Sequence, residues 1–170
     1  MQAEERRQSI RNILAVAETP VSATALAAKF SVSRQVIVGD IALLRAAGLD
    51  IAATPRGYVV HRSPEGKIYQ LAVQHTPEEM EAELNAIVDE GGVALDVIVE
   101  HPVYGQLTGP LQISNRHEVR QFVQRCALLE AAPLSTLTEG IHLHTIACAG
   151  DEVFQRICDA LRALGFLLEA

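Results

Sequence analysis

The chain has 170 residues, of which 49% are hydrophobic, 21% charged and 4% aromatic, with no tryptophan. This length allows one large or two small domains with buried cores, and the composition excludes a disordered chain and an aromatic-rich binder of single-stranded nucleic acid. The three cysteines are widely spaced and form no C-x-x-C pair, so we expect free, buried thiols. A charged first segment and the lack of a long apolar segment predict a cytoplasmic protein that does not enter a membrane.

The charge is distributed unevenly along the chain. Residues 1–62 carry eight Lys and Arg against five Asp and Glu, a net charge of +3, whereas the remaining residues carry six against sixteen, a net charge of −10. Such asymmetry indicates two parts with different partners. Pro64 and Gly66 predict a linker where the balance reverses.

The first part shows the pattern of a helix-turn-helix followed by a hairpin. Apolar spacing and capping residues predict helices over 4–18 and 23–30, a third helix from Ser33 to Gly48, and short strands over 49–53 and 58–60. The segments SRQVIVGDI (residues 33–41) and PRGY (residues 55–58) resemble the winged helix-turn-helix module of bacterial regulators. We therefore predict a DNA-binding domain over residues 1–62.

The resemblance points to DNA contacts at two places. The first residues of a recognition helix meet base edges in the major groove, so Ser33, Arg34 and Gln35 are the predicted base readers. Arg56 lies at the predicted wing tip, where it would reach a phosphate or the minor groove. The alternative is a three-helix packing module with a solvated charged face.

Strands and helices alternate in the second part without a Gly-rich phosphate loop, which predicts an α+β fold of the α/β-sandwich type over residues 68–170. Predicted strands cover 68–73, 93–99, 106–113, 141–147 and 166–168, and predicted helices cover 77–90, 115–130 and 151–164. A loop containing Pro133 separates the middle helix from the strand that follows.

Histidines and a carboxylate in this part form a candidate metal site. His142 and His144 are two residues apart on one strand, so their side chains share a face about 7 Å apart. His75 precedes a helix, and Glu83 lies on the same face of that helix as Glu79. Three imidazoles and a carboxylate suit Zn, Ni, Fe or Mn. By spacing alone, such residues are more commonly polar surface than a metal site.

Four longer segments resemble the three-histidine (3H) domain, which is joined to a winged helix in niacin-responsive repressors of NAD biosynthesis. They are HTPEEMEAEL (75–84), DVIVEHPVYG (96–105), PLSTLT (133–138) and GIHLHTI (140–146). The resemblance implies one divalent transition metal per chain, Ni²⁺ or Zn²⁺ before Fe²⁺ or Mn²⁺, held by His75, Glu83, His142 and His144. Glu79 remains an alternative to Glu83.

Other residues and the function are also expectations from this resemblance. His101 and Tyr104 are candidates for binding a small effector, although His101 is equally suited to stabilising its loop, and His61 and His117 are expected at the surface. The implied function is a repressor of genes for NAD biosynthesis or niacin uptake, with nicotinic acid as corepressor.

One helix-turn-helix reads one half-site, so we expect a homodimer on two-fold-related operator DNA. The sequence offers no nucleophile with a partnered base, which disfavours a metal-dependent enzyme. A regulator for which the metal itself is the signal remains the alternative.

Overall fold

The computed structural model describes residues 2–60 and 65–170. The chain forms two compact units, Met1–Ser63 and Pro64–Ala170. His61 lies outside the described residues. In the part of the chain that is described, no helix is both long and apolar enough to cross a membrane.

The first unit contains three helices and a hairpin: α1 (Ala3–Val16), α2 (Ala23–Phe30), α3 (Arg34–Ala46), β1 (Ile51–Thr54) and β2 (Gly57–Val60). Ser22 and Ser33 cap α2 and α3, each accepting a backbone hydrogen bond from three residues further on. Between these helices, Ser31 adopts a left-handed conformation that ends α2 and allows the sharp turn. The predicted winged helix-turn-helix is confirmed.

A small apolar core and one buried ion pair fix α3 in this unit. The core includes the fully buried Ile10, Leu26 and Ile37. The buried Asp40 of α3 accepts a hydrogen bond from Arg6 Nε of α1 at 2.6 Å. A carboxylate removed from water needs such a partner, so the pair joins α3 to α1 at a defined position.

The second unit is a five-stranded antiparallel sheet with three helices. Its elements are β3 (Lys67–Gln74), a 3-10 turn (Pro77–Glu79), α4 (Met80–Asp89), β4 (Val93–His101), β5 (Gly105–Ile113), α5 (Arg116–Leu128), a 3-10 helix (Leu134–Thr138), β6 (Ile141–Cys148), α6 (Asp151–Ala163) and β7 (Leu167–Leu168). The strand order is β5-β4-β6-β3-β7. The α+β prediction is confirmed, and the segment predicted as a loop around Pro133 contains the second 3-10 helix.

The helices bury one face of this sheet. Residues at alternate positions of the strands, among them Val73 and Ile146, pack against Ile87 of α4 and Ile157 of α6 in one continuous core. β3 and β6 are neighbours, and their register pairs Leu71 with His144 and Val73 with His142. This pairing places the strand histidines near the end of β3, where His75 follows.

Candidate metal centre

The four residues predicted as metal ligands come together at the boundary between sheet and helices. His142 and His144 alternate along β6 with the same period as the core residue Ile146, so they face the helices rather than solvent. Glu83 lies one turn before Ile87 on the buried face of α4. The exposed polar surface that spacing alone would also allow is excluded, because all four side chains are buried.

Glu83 is the centre of the cluster and only 1% exposed. The Nε2 atoms of His75 and His144 each lie 2.8 Å from a Glu83 carboxylate oxygen, and His142 Nε2 lies at 3.4 Å. One ligand atom from each of His75, Glu83 and His142 falls within 4.8 Å of the others, a spacing that one metal ion can span. His144 is not part of that group of three, but its Nε2 contacts Glu83 Oε1 at 2.8 Å.

Each imidazole is oriented by a backbone carbonyl on its other nitrogen. The Nδ1 atoms of His75, His142 and His144 lie 2.7, 2.8 and 2.6 Å from the carbonyl oxygens of Thr76, Gly140 and Asp96. A carbonyl only accepts hydrogen bonds, so Nδ1 carries the proton in each case. In its neutral form, every ring therefore directs the Nε2 lone pair towards the carboxylate, as in metal-binding histidines.

This arrangement leaves unsatisfied atoms that a cation would satisfy. While His144 is neutral, the buried atoms Glu83 Oε1 and His144 Nε2 have no hydrogen-bond partner among the described residues, although they lie 2.8 Å apart. Two acceptors at that distance repel each other unless a proton or a metal ion lies between them. The donor set, three imidazole nitrogens and one carboxylate, matches the preferences of a divalent transition metal. The residues present therefore fit such an ion.

The electrostatics of the cluster agree with the same interpretation. Burial alone would lower the pKa values of His75 and His144, but the charge and hydrogen bonding of Glu83 outweigh it and raise both. Burial would raise the pKa of Glu83, but the three histidines outweigh it and hold that pKa well below its usual range. The carboxylate is thus ionised and attracts positive charge into the site.

Two supporting residues had no signal of their own in the sequence. The pairing of β4 with β6 shifts in register between Ala94 and Ile98. Asp96 lies within this shift, and both its backbone carbonyl and its side-chain carboxylate contact β6. The Asp96 carbonyl orients His144, and its Oδ1 accepts a hydrogen bond from the Thr145 amide at 3.0 Å. A bulge commonly serves to redirect groups in this way, and a single sequence does not reveal where it falls.

Gly140 supports the site through close backbone approach. Its φ is +90°, and a Cβ there would overlap the His75 carbonyl oxygen. The Gly140 carbonyl orients His142. Glycine is therefore required at this position on two grounds, conformation and space.

Glu79, the alternative carboxylate, does not join the cluster. It is exposed, and its Oε2 accepts a hydrogen bond from the Thr76 amide at 2.8 Å in a capping box. Glu79 and Glu83 lie one helical turn apart, but only the side chain of Glu83 is directed into the core.

The predicted effector residues lie in the turn between β4 and β5. His101 Nδ1 accepts hydrogen bonds from the amides of Val103 and Tyr104, and the His101 and Tyr104 rings lie 5.0 Å apart. These hydrogen bonds favour a role of His101 in stabilising its loop. Because Nδ1 accepts them, Nε2 carries the proton and can donate a hydrogen bond to another group. His117 is exposed, as expected for a surface residue.

An open pocket of about 330 Å³ lies beside the metal centre. It is lined by Gln74, His75, Thr76, Pro77, Glu79, Thr136, Glu139 and Gly140. His75 therefore belongs both to the pocket and to the candidate metal centre. Two of the side chains that line the pocket, Glu79 and Glu139, are acidic.

The predicted DNA-contacting residues lie at the N-terminus of α3 and in the hairpin turn. Ser33, Arg34 and Gln35 are all exposed, and Ser33 also caps the helix. Arg56 is half-buried between β1 and β2, and its amide donates a hydrogen bond to Thr54 Oγ1.

Comparison with known proteins agrees with this architecture. The 3H-domain family matches residues 68–170, and an HTH-domain family matches residues 6–59. The probable transcription repressor NiaR of Thermotoga maritima is 48% identical over 166 residues, covering 98% of this chain and 95% of that protein. The transcription repressor NadR of Bacillus subtilis is 41% identical over 168 residues, covering 96% and 93%. The resemblance to repressors is confirmed, as is the prediction of a regulator rather than an enzyme. The chain belongs to the 3H-domain family of transcription repressors that carry an N-terminal HTH domain.

Proposed function

We propose that this DNA-binding repressor controls genes for NAD biosynthesis or niacin uptake, with nicotinic acid as corepressor acting through a divalent metal. The observation that carries the proposal is the metal centre: three imidazoles, each oriented by a carbonyl, direct Nε2 towards the buried carboxylate of Glu83. Burying three histidines and a carboxylate adds little to the stability of the unit, because apolar residues of similar volume can be buried at a lower desolvation cost. A role in binding is therefore a better explanation than stability alone.

The metal would be held by His75, Glu83, His142 and His144, one ion per chain. The nitrogen-rich donor set favours Ni²⁺ or Zn²⁺ over Fe²⁺ or Mn²⁺. A bound ion supplies positive charge and a position for a ligand donor atom. The chain's own contribution is to hold the rings in one tautomer.

The pocket beside His75 is the proposed position of the effector. Its volume of about 330 Å³ accommodates a single pyridine carboxylate. Glu79 and Glu139 line the pocket and repel an anion, so binding of nicotinic acid there would depend on the charge of the metal. His101 and Tyr104 stay a second proposed contact, with His101 Nε2–H as a donor to the carboxylate.

DNA recognition would use the first unit of two copies of the chain. Ser33, Arg34 and Gln35 are the proposed base readers, and Arg56 the phosphate or minor-groove contact. We propose a homodimer in which the acidic second units form the contact, since one recognition helix covers only a half-site. The proposed location is the cytoplasm, where the operator DNA and the effector are both present.

Fluorescence anisotropy tests the proposal. The nickel-loaded chain is titrated onto labelled DNA from upstream of an NAD-synthesis gene, with and without nicotinic acid, at fixed salt and with random DNA as control. We expect nicotinic acid to tighten binding to the upstream DNA alone. No response to nicotinic acid in the metal-loaded chain would contradict the corepressor assignment.

A second candidate is a repressor for which the metal is the signal. The observation in its favour is the count of donors, because four protein ligands can fill a tetrahedral shell and leave no position for an effector. In that case, adding or removing the metal would change DNA binding while nicotinic acid has no effect. Rapid exchange of the ion during dialysis would favour this function.

A further inference from the structure

Gly39 occupies a position on α3 where the fold itself gives no reason for a glycine. It lies inside the helix, which runs without interruption from Arg34 to Ala46. A Cβ at this position would meet no atom of the described residues within 4 Å beyond its own stretch of helix, and its φ is not in the left-handed region. Glycine inside a helix is unfavourable relative to alanine. The first unit thus accepts a less stable recognition helix without a structural benefit to itself.

The neighbouring surface is the one that a recognition helix presents to DNA. Gln35 lies one turn before Gly39 on the exposed side, opposite the buried Ile37 and Ile41. Val36 and Leu43 flank this side and remain 38% and 55% exposed, although the apolar core of the unit lies on the other side of the same helix. Apolar side chains in this situation can contact thymine methyl groups.

The missing side chain has a direct effect on Gln35. Side chains on a helix lean towards its N-terminus, so a side chain at position 39 would cover the turn that carries Gln35. A helix with its side chains is about 10–12 Å across, and the major groove is about 12 Å wide. The helix therefore fits the groove with little room, so the size of the side chain on its central exposed side sets how closely its backbone approaches the base edges.

We infer that Gly39 is a specificity-determining position, kept without a side chain so that α3 approaches the bases closely enough for Gln35 to contact them. The occupant of this surface is double-stranded DNA, which the HTH family match and the net charge of +3 on residues 1–62 both support. The inference rests on the proposed DNA recognition by this helix. It assigns a role to a residue that makes no contact through a side chain.

The test compares Gly39→Ala with Gly150→Ala in the full-length chain. Gly150 is a matched control: among the residues that the structure describes, a Cβ there also meets nothing within 4 Å apart from its chain neighbours, its backbone is extended, and it lies in the second unit. The probe is a duplex selected by the wild-type chain from a random pool in the presence of nickel and nicotinic acid, and a scrambled duplex gives the non-specific affinity. Circular dichroism and thermal unfolding report helix content and stability.

We expect Gly39→Ala to retain or raise Tm while weakening binding to the selected duplex at least tenfold, with a much smaller change on the scrambled duplex. Gly150→Ala should leave both affinities unchanged. If Gly39→Ala binds the selected duplex as tightly as the Gly150→Ala chain does, the inference about Gly39 is overturned, while the proposed function is not affected. If the wild-type chain enriches no sequence from the pool, the proposed function fails, and the inference fails with it.

Discussion

Replacing Glu83 by glutamine should lower stability in the nickel-loaded chain but raise it in the chelated chain once His75 and His144 are neutral. Glutamine has the same shape, but it lacks the charge and offers an N–H donor. Losing a residue that only hydrogen-bonds a metal ligand typically weakens metal binding by a factor of about 10–100. Losing Glu83 itself as a ligand should weaken nickel binding by at least as much. The expected result is a lower Tm with nickel.

The result in the chelated chain depends on pH. The pKa values of His75 and His144 are raised in the folded state by Glu83, so their charged pairs with it add stability that is complete below about pH 6.5. This stability is lost as the pH rises through the raised values. At pH 6, Glu83→Gln should therefore lower Tm, because it removes charge-assisted hydrogen bonds.

Above their raised pKa values, His75 and His144 of the chelated chain are neutral, and the Glu83 carboxylate faces their lone pairs. An unsatisfied buried polar group costs about 1–3 kcal/mol, and a glutamine amide can donate to one of the rings. In that pH range, Glu83→Gln should raise Tm by about 4–8 °C for each kcal/mol regained in a domain of this size.

Thermal unfolding with EDTA and with nickel, at pH 6 and at an alkaline pH where His75 and His144 are neutral, measures all four combinations. The matched control is Glu79→Gln, one turn earlier, where the exposed side chain keeps an oxygen for the Thr76 amide and no change is expected. A fall in Tm for Glu83→Gln in EDTA at the alkaline pH would refute the reasoning. It would show that the carboxylate is stabilised by the chain itself and needs no cation.

Three further predictions follow from the described contacts. Nickel affinity, measured by competition with a chelator, should already fall above pH 6.5 on acidification, because the raised pKa values of His75 and His144 let protons compete there; the slope is about tenfold per pH unit for each proton displaced. Gly140→Ala should lower Tm and metal content far more than Gly105→Ala, since both have positive φ but only the first meets the His75 carbonyl; equal effects would mean that backbone conformation alone matters. Arg34→Ala should weaken operator binding by about 1–3 kcal/mol with little loss on random DNA, and an equal loss on both would contradict base reading.

The order and type of most elements could be predicted because their signals are local. Ser22 and Ser33 cap α2 and α3 where their side chains were expected to, and the Thr76 and Glu79 capping box begins the segment that leads into α4. Hydrogen bonds over three residues do not depend on the rest of the fold.

The surroundings of the candidate metal centre could be predicted only in part. The two-residue period of β6 placed His142 and His144 on one face, but the choice between the buried and the exposed face depends on which side the helices pack. Helical period also placed Glu79 and Glu83 together, and only the cap at Thr76 separates their roles. The Asp96 carbonyl depends on a register shift between β4 and β6, a non-local property.

Reciprocal linkage separates the two candidate functions at the metal itself. Of the four proposed ligands, only His75 lines the pocket, so an effector that reaches the ion approaches on that side. The factor by which the metal tightens nicotinic acid must equal the factor by which nicotinic acid tightens the metal. Because Glu79 and Glu139 disfavour an anion in the pocket without the metal, this factor should be large, and chelator competition with saturating nicotinic acid measures it. A factor of one, together with no effect of nicotinic acid on DNA binding, leaves the metal as the signal. A factor of one with an effect on DNA binding would place the effector away from the pocket, and the turn containing His101 and Tyr104 would then be its site.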